Sequence, residues 1–94
     1  MVERIEFNGK LYAIIVHNNF KSEGINFITE PNSLLQMGIM NHNSGYEIKP
    51  HIHKPFKRIT EGTQEVIYIK KGKVLVEFYD YEKRYLSKSK LNKG

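Results

Sequence analysis

The chain has 94 residues, 15 Lys and Arg against 10 Asp and Glu, a formal charge of +5, and no cysteine. That length holds one small domain that buries only a modest share of its surface. The absence of cysteine excludes disulfides and thiolate metal ligands, and fits a reducing compartment. Met1-Val2-Glu3-Arg4 carries no signal-peptide core, and the longest apolar run, Leu11 to Val16, is too short to span a bilayer. The expected setting is cytoplasmic.

Short β signals dominate in chain order. Arg4-Ile5-Glu6-Phe7 alternates, Asn8-Gly9 follows, and Lys10 to Val16 is apolar and β-branched. Asn-Gly between two such runs is a strong hairpin signal, because a type I′ turn needs positive φ at both central residues. His17-Asn18-Asn19 reads as a break, Gly24 to Thr29 as a weaker strand, and Glu30-Pro31-Asn32-Ser33 as a turn. Leu34 to Met40 is mostly apolar, with a bend or bulge expected at Gly38. After a loop over Asn41 to Gly45, Tyr46 to His53 should be extended, since Pro50 biases Lys49 away from helix. Lys54 to Thr63 reads as a loop.

The clearest hairpin signal comes last. Gln64 to Ile69 and Val74 to Tyr79 read as strands around a turn at Gly72, and Arg84-Tyr85-Leu86 begins another. No window has a helical period with caps. Many short strands with frequent turns predict an all-β barrel or sandwich.

Pro50-His51-Ile52-His53 carries the most chemistry. Side chains two apart on an extended chain share a face, about 7 Å apart at their roots. Two imidazoles so placed can hold one ion, and imidazole suits Zn, Cu, Fe and Ni. Glu65 on a neighbouring strand would add a carboxylate, giving the two-His, one-carboxylate set of non-haem iron sites. His42 is expected at the surface and His17 as a strand cap. Tyr12, Tyr46, Tyr68, Tyr79, Tyr81 and Tyr85 are expected to pack, as strand aromatics usually do.

The offsets Gly45-x5-His51-x-His53 and Glu65-x6-Gly72 match much of the first cupin motif. Leu34 to Asp80 resembles a family of small bacterial and archaeal cupins, most specifically at His51-Ile52-His53 and Thr63-Gln64-Glu65-Val66. The resemblance implies a single cupin-like domain over residues 1–94, a double-stranded β-helix or jelly-roll barrel with its first motif at 45–72. It implies a divalent ion (Zn, Fe, Mn or Ni) on His51, His53 and Glu65, with Gly45 and Gly72 at turns. It also implies action on, or sensing of, a small polar molecule, with an association to sugar or surface-polysaccharide metabolism.

Two departures alter the expectation. Eleven residues separate His53 from Glu65, where the motif has three or four. That longer loop would carry Lys57 and Arg58 towards an anionic substrate. No histidine follows His53, so the second motif and its fourth ligand are missing. A cupin lacking its late strands has open sheet edges, and dimerisation would complete it. The alternative is a binding or assembly module without metal or chemistry. A metal-free isomerase with His51 or His53 as base is a variant of the first reading. The lysines near the end, Lys83 to Lys93, read as a solvated tail. With no RNA-binding motif, nucleic acid is not the expected partner.

Overall fold

A computed structural model describes all 94 residues. The protein is all-β, with no helix. Its strands are β1 (Val2–Phe7), β2 (Lys10–Val16), β3 (Gly24–Phe27), β4 (Gly38–Asn41), β5 (Val74–Tyr79) and β6 (Tyr85–Leu91). They pair antiparallel as β1-β2, β3-β4 and β5-β6, three separate two-stranded sheets that do not join into a closed barrel. The chain forms two compact units, one from Met1–Phe20 with Glu65–Gly94, the other from Lys21–Gln64.

In the first unit, β1 and β2 meet at Asn8-Gly9, with φ of 51° and 72°. These are the positive values that the type I′ reading requires. A bulge between Ile5 and Glu6 shifts the register. Ile5 and Ile15 are the only buried hydrophobic side chains, at 6% and 8% exposure. Glu3 shares their face of the hairpin, since Glu3 pairs with Ile15 and Ile5 with Ala13. Its carboxylate Oε1 accepts a hydrogen bond from Ser89 Oγ on β6 at 2.9 Å and lies 3.2 Å from His17 Nε2. The termini of the hairpins are also tied together. Asn18 Nδ2 donates to the Lys93 carbonyl at 2.9 Å, and Gly94 N–H donates to the Ile69 carbonyl at 2.9 Å.

The turn between β5 and β6 is built around Asp80. Its Oδ1 accepts from the backbone N–H groups of Glu82 and Arg84, and its Oδ2 from Arg84 Nε. These bonds, the Arg84 N–H foremost, hold the carboxyl below its ordinary 3.8. Lys83 takes φ of 65°, closing the turn.

In the second unit, Gly38 is not a bend. It sits in β4 in regular register with Phe27. A Cβ there would lie 3.2 Å from the Phe27 ring, so the position is small because an aromatic side chain covers it. The connection is clamped by Gln36, whose Nε2 donates to the carbonyls of Glu30, Pro31 and Ser33 while its Oε1 accepts from Thr29 Oγ1.

Two expected strands do not form. Tyr46 to His53 joins no sheet, and neither does Gln64 to Ile69. Val66, Ile67 and Tyr68 are 71%, 64% and 71% exposed. Their β-branched and aromatic composition favours an extended backbone, but such preferences reflect a fit to a half-buried sheet surface, and no ladder partner is present here.

Candidate functional site

His51 and His53 lie on the irregular segment of the second unit, between Pro50 and Pro55. Both are exposed, as is Ile52 between them at 94%. Their ring centroids are 5.6 Å apart with an edge-to-face angle of 67°. The two rings therefore meet although no sheet holds the backbone. His51 Nδ1 lies 2.9 Å from the Lys49 carbonyl. A carbonyl can only accept, so Nδ1 carries the proton in this bond. In the neutral ring that leaves the Nε2 lone pair free, the tautomer arrangement common to metal-ligating histidines.

Metal chemistry offers a fit test. With Zn–N bonds of about 2.0–2.1 Å, two imidazoles on one tetrahedral ion place their ring centroids about 5 Å apart. The observed 5.6 Å is close to that separation, and both rings are exposed. In donor type the pair suits two positions of an ion. A third is not supplied locally, since neither unit gathers three His, Asp or Glu side chains that could hold a metal. Glu65 belongs to the first unit, where it is exposed and outside any ladder.

The basic residues of the same segment are also open to solvent. Arg58 lays its guanidinium over the Phe56 ring, 4.7 Å from the centroid, and Lys57 is exposed. Gly45, expected at a turn, has φ of 86°, and Gly72 has 88°. His42 stacks on Tyr46, rings parallel to within 8° at 3.9 Å.

His17 does more than cap a strand. A carboxylate only accepts, so His17 Nε2 carries the proton shared with Glu3 Oε1. The two side chains are 19% and 34% exposed. Ser89 completes this polar cluster from the far end of the chain. No local signal links residues 3 and 89; only the alternation that puts Glu3 on the apolar face of β1 hints that its carboxylate needs partners. A second cluster places Lys10 Nζ 3.8 Å from the Tyr81 ring centroid, with Tyr12 beside it.

No protein-family profile matches the chain, and no curated protein or solved structure matches it significantly. No helix is long and apolar enough to cross a membrane.

Proposed function

We propose that the His51–His53 pair is the nucleus of a divalent-metal site in a cupin-like domain that acts on, or senses, a small polar molecule. The observation that carries this reading is the close approach of the two rings together with the Lys49 carbonyl that sets the His51 tautomer. His51 and His53 are the two imidazole ligands, and Glu65 is the proposed carboxylate. Lys57 and Arg58 supply positive charge for an anionic group of the ligand. An ion held there would polarise a carbonyl or activate water or O2. Sugar or surface-polysaccharide metabolism is the proposed context, and a homodimer the proposed form, because the segment 66–68 leaves apolar side chains without a sheet partner.

A second reading is favoured by the lack of a third ligand within either unit. In it the domain is a cupin-like binding or assembly module without metal.

Titration with Co(II), followed by its visible absorption and by calorimetry, separates the two. Tight, stoichiometric binding lost in His51→Ala and in His53→Ala supports the site. A weaker complex in Glu65→Gln would assign that carboxylate. Binding equal in the wild type and the double His variant would overturn the metal reading. Imidazole must be neutral to ligate, so the ion should be released as the solution is acidified.

A further inference from the structure

The formal charge of this protein is not spread along it. From Lys70 to Gly94 there are eight Lys and Arg against three Asp and Glu, an excess equal to that of the whole chain; residues 1–69 balance at seven of each. The hairpin β5-β6 then sorts these charges by face and by end. Two of its acids, Asp80 and Glu82, pair with Arg84; Glu77, opposite Lys88 in the ladder, keeps its charge and accepts from the Tyr79 hydroxyl at 2.6 Å. No carboxylate lies in ion-pair range of Lys73, Lys88 or Lys90.

The ladder puts these lysines together. Leu75 pairs with Lys90 and Glu77 with Lys88, and paired residues share a face. Lys73 joins them by two-residue alternation. Ser89, of opposite parity, bonds Glu3 on the other face, so the lysines occupy the outer side of the hairpin in this unit. An open recess of about 370 Å³ lies there, lined by Lys73, Val74, Leu75, Lys90 and Asn92, with no acid among them. At the other end of the hairpin, Tyr79 and Tyr85 are exposed and stand edge to face, centroids 5.9 Å apart.

We propose that this outer face binds single-stranded nucleic acid, with phosphates on Lys73, Lys88 and Lys90 and bases against Tyr79 and Tyr85. Lys88 and Lys90, two residues apart on a strand, are separated by about 6.7 Å at their roots. Phosphates of a stacked strand rise ~3.4 Å per nucleotide along its axis, so this spacing matches the rise over two nucleotides. Three cations outweigh the one carboxylate of this face, Glu77, and cations flanked by aromatic rings are the combination that holds single strands without sequence preference. An anionic bilayer would engage the same lysines and could seat the tyrosines at its interface, so vesicle binding is the competing outcome. The proposal does not depend on the metal reading.

Fluorescence anisotropy with a labelled dT oligonucleotide of about 15 nucleotides, a length within the usual site size, tests it. Three phosphate contacts predict a log-log salt slope of about −2 between ~50 and ~200 mM salt, at about 0.7 per contact. The pair Lys88→Ala and Lys90→Ala should reduce the slope to below about 1, and Lys88→Arg with Lys90→Arg should restore it. Tyr85→Ala should weaken binding about tenfold with the slope unchanged. Vesicles of phosphatidylcholine with phosphatidylserine serve as the competing surface. No oligonucleotide binding at low salt, affinity and slope unchanged in the double Ala variant, or binding to the vesicles alone would each overturn the proposal.

Discussion

Removing the Glu3 carboxylate should loosen the first unit as a whole. One oxygen, Oε1, takes both the His17 ring proton and the Ser89 hydroxyl. It therefore ties β1 to the end of β2 and to β6, across 86 positions of sequence in the second case. A hydrogen bond to a charged group contributes about 1.5–3 kcal/mol when well shielded. Here Glu3 is one-third exposed and His17 one-fifth, so solvent competes and each bond belongs at or below the low end of that range. We expect Glu3→Ala to cost about 1–2 kcal/mol, near 4–8 °C of Tm per kcal/mol for a domain this size. The decisive assay is a double-mutant cycle with Ser89→Ala, measured by urea unfolding. Coupling of about 0.5–1 kcal/mol is expected, because the two residues share a bond and no other route. Additivity within about 0.3 kcal/mol would refute the idea that this carboxylate links the hairpins.

Gly38→Ala should change the stability of the β3-β4 hairpin by less than about 1 kcal/mol, because the exposed Phe27 ring above it can swing away; amide exchange at Met40 reads it, and a loss above about 2 kcal/mol would show that the ring is fixed in place. Asp80 has its folded pKa depressed, so its contribution is present above the ordinary 3.8 and disappears as pH falls below it. Acid unfolding of Asp80→Asn should accordingly lack that component, while a profile identical to wild type would count against the turn bonds. Sedimentation at micromolar concentration should show self-association, reduced by Val66→Lys with Tyr68→Lys, and a strict monomer would remove the case for a dimer.

The parts of the fold legible in the sequence are those that short stretches decide by themselves. Asn8-Gly9 specifies its turn because both residues accept positive φ, and the strands on either side follow. The run Val74 to Tyr79 forms the strand expected of it, but its neighbour is Tyr85–Leu91 and not the expected Gln64 to Ile69. Gln64 to Ile69 has equal strand character but joins no ladder, its Ile69 carbonyl taking only the Gly94 N–H, and composition cannot supply a sheet partner. Gly38 misleads because a missing side chain has two causes, a backbone need and a steric one, and only coordinates reveal Phe27 above it. At the site, the His51 and His53 rings meet edge to face on a segment that joins no sheet, so the strand expected there is not what holds them together. The Lys49 carbonyl that orients one of them is a backbone group, invisible to any residue pattern. The bond from Ser89 to Glu3 joins opposite ends of the chain, and nothing local encodes it.

The first unit is interrupted in sequence by the second, Lys21–Gln64, which leaves it after Phe20 and returns at Glu65. To the first unit, that whole stretch is one closed loop. The entropy of closing a loop grows only with the logarithm of its length, about 0.6 kcal/mol for each doubling. A change in the length of that stretch therefore adds little closure entropy to the first unit.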